Sequence, residues 1–148
     1  EMTAAIQVIA DDQLERSFKM LARVSKIQQQ LIQSWSVLST LTPAEYLEFR
    51  DSLGHSSGFQ SYQNRQIEFS LGFKNAQMLR VYEHETALFA QLNDDLETPS
   101  IYDETVRAMH RRGLPIDEAV LNRDVTQDWE ADASVEAAWA IVYQDVEQ

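Results

Sequence analysis

An all-α fold is what this sequence predicts, on three observations. Apolar residues recur every three or four positions over most of the chain, helix-start chemistry appears at several separate points, and no stretch alternates apolar and polar residues as a half-buried strand would. No internal repeat of fixed period is visible and no linker divides the chain, so residues 1–148 read as a single helical domain, a bundle.

The elements follow in order. From Asp11 to Leu41, the residues Leu14, Phe18, Leu21, Val24, Ile27, Leu31, Trp35 and Leu38 mark one face of one long helix. Their mean spacing of roughly 3.4 residues suits packing against another helix. Asp12 with Glu15 three residues on reads as a carboxylate version of the capping box. Thr42, Pro43 and Glu45 occupy the N-cap, first and third positions of a second helix, where Pro is tolerated because its missing N–H would have no partner anyway. That helix ends near Gly54, and Ser57 with Gln60 reads as the capping box of a third, "GFQSYQNRQIEFSLG", so residues 42–72 form two helices about a tight corner. After Gly72, "NAQMLRVYEHETALFAQLNDDLETP" reads as one or two shorter helices, and Pro99 with Ser100 opens another that runs through "IYDETVRAMHRR" before Gly113. Residues 113–132 read as irregular. Val135, Trp139, Val142 and Val146 then space a last helix that carries no stop signal, and the chain begins at Glu1 rather than methionine, so both ends read as cut from something longer.

Composition narrows the function classes. With 24 acidic side chains against 12 basic ones, the net charge of -12 repels phosphate backbones and anionic lipid surfaces, so neither nucleic acid nor a membrane surface is expected as a partner. The absence of cysteine removes thiolate catalysis, zinc ribbons and disulfides, and suits a reducing, cytoplasmic setting. No apolar run is long enough to span a bilayer, and no basic-then-apolar leader is present. His55, His84 and His110 are scattered, and "HETAL" carries Leu88 where a zinc-binding helix needs its second His, so no self-contained metal site is expected. "NDDLE" lacks the alternating oxygen ligands and the central Gly of a calcium loop. No Gly-rich phosphate loop and no Ser-centred nucleophile elbow occurs.

The stretch "PAEYLEFRDSLGHSSGFQ" stands apart. Tyr46 and Arg50 are four residues apart and share a helix face that also carries Leu47 and Leu53. Arg50 has no acidic residue three or four positions away, whereas Arg16 has Asp12, Arg65 has Glu68 and Arg107 has Asp103. Its counter-charge is then either a distant side chain, for which 24 carboxylates offer many candidates, or the carboxylate of a ligand, which a guanidinium fork matches bidentately. The corner "GHSSG" has two readings as well: ordinary cap chemistry, or small residues that let backbone N–H groups approach a bound group. Trp35 lies on the packing stripe of the long helix and by that placement belongs to the core.

The run "WSVLSTLTPAEYLEFRDSLGHSSGFQSYQNRQIEFSLG", residues 35–72, closely resembles the middle of the tryptophan 2,3-dioxygenase family. A Trp-Ser-hydrophobic opening, then Leu-Thr-Pro, Phe-Arg-Asp and Ser-Ser-Gly-Phe-Gln-Ser follow at the family's spacing, and weaker similarity extends from about Glu1 through the last helix. The resemblance implies the central portion of the all-helical fold that tryptophan and indoleamine 2,3-dioxygenases share, a homotetramer with haem b. It also implies oxidative opening of the indole ring of L-tryptophan by O2 to N-formyl-L-kynurenine, the first step of the kynurenine pathway. Carried onto this chain, it makes Arg50 the partner of the substrate carboxylate and Tyr46 a second substrate-binding residue, with Trp35, Leu53, Ser57 and Gly58 lining the haem and ligand pocket. The family's axial histidine falls beyond the last residue and its distal histidine before Glu1. His55, His84 and His110 match neither, so the chain alone is expected to hold no iron ligand, no haem and no catalytic residue. A different class of reading is a non-catalytic helical interaction module whose 11–41 helix packs on a partner.

Overall fold

The computed structural model describes residues 1–55 and 60–146, and the described part contains eight α-helices and no strand. The helices are α1 (Met2–Ala10), α2 (Leu14–Leu38), α3 (Pro43–Arg50), α4 (Tyr62–Leu71), α5 (Thr86–Glu97), α6 (Ile101–Arg111), α7 (Glu118–Leu121) and α8 (Ala133–Val146). Two 3-10 segments, Asp51–Leu53 and Ala76–Tyr82, fill out the order.

Three apolar clusters hold the helices together. Ala5 and Val8 of α1 pack on Met20 of α2; Phe69 of α4 meets Leu79, Tyr82, Leu92 and Leu96; and Val106 and Met109 of α6 meet Ile116, Val135 and Ala138. The first helix ties them together, because it packs on α2, α4 and α6. Its sequence, "MTAAIQVIA", carries no start or stop signal that sequence reading could use, and only its burial makes it a helix of consequence.

The long helix begins differently from expectation. Gln13 is its N-cap, with no side-chain cap bond, and Asp12 adopts φ 61 in the turn after α1. The Asp12 carboxylate accepts instead from Arg112 at 2.7 Å, a residue 100 positions away, and lies 3.7 Å from Arg111. The bond from Arg112 holds this carboxyl below its ordinary pKa. A local capping signal therefore lost to a tertiary ion pair that no spacing rule reveals.

Two other local expectations are corrected. The helix after the corner has Ser61 as its N-cap, whose hydroxyl accepts from the Asn64 N–H; the box expected from Ser57 and Gln60 involves Ser57, which lies outside the described residues. Arg107 pairs with Glu104 at 2.6 Å rather than with Asp103, while Arg65 pairs with Glu68 at 2.6 Å as its spacing predicts. Asp103 is committed elsewhere: it closes the capping box with Ser100 that opens α6, and it accepts from Arg123.

Residues 113–132 carry only the single turn α7, yet side chains pin them down. Arg123 reaches Asp103, Asp128 accepts from the Lys74 N–H at 2.6 Å, and Trp129 stacks on Tyr102 at 4.9 Å. At Gly72, φ is 97, and a Cβ there would sit 3.2 Å from both Ser100 Oγ and Trp129 Cδ1, so this helix end needs glycine for both its turn and its neighbours.

Lys74 closes the other end of α5. Its buried ammonium donates to the carbonyls of Asp95, Leu96 and Thr98 at 3.1, 2.9 and 2.6 Å, which satisfies groups that a helix C-terminus otherwise leaves unpaired. Burial pushes the Lys74 ammonium down to about 8, and the nearby Asp103 and Asp95 carboxylates oppose that fall. Lys74→Met is expected to destabilise the chain by about 2–4 kcal/mol, because it strips donors from buried carbonyls while keeping the bulk. Urea unfolding of the two chains checks this, and equal midpoints would show that water replaces the ammonium without cost.

Candidate functional site

Capping chemistry aims α3. Thr42 Oγ1 accepts from the Glu45 N–H at 3.3 Å while Glu45 Oε2 accepts from the Thr42 N–H at 2.8 Å, and Pro43 sits in the first turn. The box read from the sequence is therefore present, and its backbone bond is the main reason the Glu45 carboxyl is held below its ordinary pKa. The helix runs two turns and yields to the 3-10 segment Asp51–Leu53, whose end is Gly54 at φ 56, ψ -135.

Between the end of α2 and this capped helix lies a concavity of about 630 Å³. Trp35, Leu38 and Leu41 form one side; Tyr46, Phe49 and Leu53 form the other; Thr42 and Pro43 close the angle. Tyr46 and Phe49 meet edge to face, with ring centroids 5.3 Å apart and planes at 81°. Three of the residues expected at a ligand pocket, Trp35, Tyr46 and Leu53, thus line one concavity, Trp35 facing the other two. Arg50 follows Tyr46 by one turn but is not part of the lining: its Nη1 donates to the Gly54 carbonyl at 3.1 Å. Ser57 and Gly58 lie outside the described residues. Phe49 was missed by the sequence reading, although its position three residues after Tyr46 was the signal that could have found it.

The placement of Trp35 overturns its assignment to the core. It is 68% exposed, and its half of the stripe is exposed with it: every residue from Ser25 to Phe49 is exposed. The first half of the stripe, Leu14, Phe18 and Leu21, faces α6 and α8 across an apolar cavity of about 590 Å³, whereas Ile27 and Leu31 are more than half exposed and Trp35 and Leu38 face only α3 and its 3-10 extension across the open concavity. The periodicity correctly reported an apolar face but not what covers it.

Arg50 forms no ion pair among the described residues, and it is half-exposed, so solvent and the Gly54 carbonyl share the solvation of its charge. That arrangement removes the several kcal/mol that an unpaired buried guanidinium costs. Arg23, which also has no acidic residue three or four positions away, reaches Glu1 at 2.5 Å.

A haem would need an imidazole or comparable ligand facing an apolar wall. Neither the α2–α3 concavity nor the apolar cavity beside α6 has a histidine in its lining, and His55, His84 and His110 are all exposed. The two cavities offer aromatic and aliphatic walls, and neither lining supplies an iron ligand, so neither fits a haem as a complete site.

The described residues thus form an all-helical fold with an exposed aromatic cleft between helices and, beside it, a half-exposed guanidinium that no described carboxylate pairs. A family profile described as tryptophan 2,3-dioxygenase matches residues 1–99. The whole chain is 99% identical to a tryptophan 2,3-dioxygenase of Exiguobacterium sibiricum and 61% identical to one of Geobacillus thermodenitrificans, and it covers 53% of each. It is 55% identical to one of Paraburkholderia phytofirmans, of which it covers 48%. The chain belongs to the tryptophan 2,3-dioxygenase family, and it spans about half the length of these curated relatives.

Proposed function

We propose that this chain is the amino-acid-recognising portion of a longer, cytoplasmic, homotetrameric tryptophan 2,3-dioxygenase, which inserts both atoms of O2 across the indole C2=C3 bond of L-tryptophan to give N-formyl-L-kynurenine. One observation carries this reading: Arg50, without a carboxylate partner among the described residues, stands one turn beyond Tyr46 at the edge of an aromatic concavity. In it, Arg50 takes the substrate carboxylate as a parallel pair of charge-assisted bonds, worth about 1.5–3 kcal/mol. Tyr46 holds the amino-acid end beside it, and Trp35, Leu53, Ser57 and Gly58 belong to the pocket wall. Haem b supplies the dioxygen chemistry, with its iron ligand outside the described residues, and the part played by this chain is to orient the substrate.

The test is the longer parent, loaded with haem under reducing conditions and given L-tryptophan with isotopically heavy dioxygen. N-formylkynurenine carrying two heavy oxygens is the expected product; a haem-loaded parent that makes none would overturn the proposal. The exposed apolar stripe of α2 favours a second role for the same element, as a packing surface for further helices of the assembly, consistent with the interaction reading of the 11–41 helix. No helix among the described residues is long and apolar enough to cross a membrane.

A further inference from the structure

We propose that Gly54 is a positioning residue for carboxylate recognition, its carbonyl fixing the Arg50 guanidinium in the orientation that reads the substrate; this rests on the role proposed for Arg50 above. The Arg50 Nη1 donates to Gly54 O at 3.1 Å, four residues on. A guanidinium presents two parallel pairs of donors, and the Nε–Nη2 edge, which no bond among the described residues engages, is one of them. Anchoring at Nη1 thus uses one hydrogen and leaves an intact fork for a carboxylate. It also removes rotamer freedom from a long side chain before the ligand arrives, which is where preorganisation gains affinity.

The anchor depends on an unusual backbone. Gly54 holds φ 56 with ψ -135, a combination essentially confined to glycine, and its own N–H donates to the Asp51 carbonyl at 3.1 Å. A Cβ at this position meets nothing within 4 Å among the described residues. An alanine there is opposed by conformation rather than by space, and it relieves that strain by rotating the very carbonyl that Arg50 holds.

The experiment is calorimetric binding of L-tryptophan, and of tryptamine, which lacks the carboxylate, to the haem-loaded parent. Gly54→Ala should weaken tryptophan binding about 5- to 20-fold, the loss of one bond to a charged group, and leave tryptamine binding unchanged. If the alanine variant does not fold, an α-hydroxy acid at position 55 makes the Gly54 carbonyl an ester, a poorer acceptor, without altering the backbone path, and the same split is expected. Equal losses for both ligands would show a merely structural corner, and no loss for either would show that Arg50 needs no anchor; each overturns the proposal. Arg50→Leu is the control that separates the two readings: if it too leaves tryptophan binding intact, the role of Arg50 itself fails. If only the Arg50 variant weakens binding, Gly54 alone is acquitted.

Discussion

Replacing Arg123 by methionine is expected to destabilise the chain by about 3 kcal/mol or more, the cost of leaving a buried carboxylate without its partner. Asp103 is among the least exposed charged side chains, at 2%, and it serves two masters: one oxygen takes the Ser100 N–H and hydroxyl at 2.8 and 2.7 Å, and the other takes Arg123. The capping bonds survive the substitution, which places the loss at the lower end of the usual range. Arg123 also donates to the Gln127 carbonyl and lies 5.9 Å over the Tyr102 ring, so its removal frees segment 122–132 from α6 as well. With a urea slope of about 2 kcal/mol per molar, the midpoint should fall by more than about 1 M. Adding Asp103→Asn should restore part of it, since a neutral amide needs no counter-ion and its oxygen can still cap α6. A second variant that falls further instead would show that the pair is not the source of the loss.

This pair also marks the boundary of what the sequence could convey. Arg107 had Asp103 at helical spacing and Arg16 had Asp12, and neither pair forms, because Arg123 and Arg112 reach those carboxylates from 20 and 100 residues away. Spacing names candidates, and the fold chooses among them by burial and direction. Where a signal was both local and uncontested, it held: the Thr42–Glu45 box, the start of α6 at Ser100 and the end of α4 at Gly72 are all where the residues put them. Of the candidate site, the shared side of Tyr46 and Leu53 was legible because a capped helix fixes their direction, whereas Trp35, which spacing assigned to the core, faces them from the exposed end of α2. The bond from Arg50 to Gly54 was not, since it turns on a backbone conformation that a glycine permits without requiring.

Arg50→Leu in the haem-loaded parent should raise KM for L-tryptophan about 10- to 100-fold, the factor that corresponds to losing a charge-assisted bond of 1.5–3 kcal/mol. The effect should fall mainly on KM, because the carboxylate takes no part in bond making at the indole and its pairing is equally strong before and during the reaction. Arg50→Lys should not restore the wild-type value. An ammonium is a single point charge: it can attract the carboxylate, but it cannot hold Gly54 with one nitrogen while offering two parallel donors with the others. Geometry, not charge, is what this position would supply, and the lysine variant isolates that difference. Full rescue by lysine would mean that attraction alone suffices; unchanged kinetics in both variants would reduce Arg50 to a cap on the turn that ends α3.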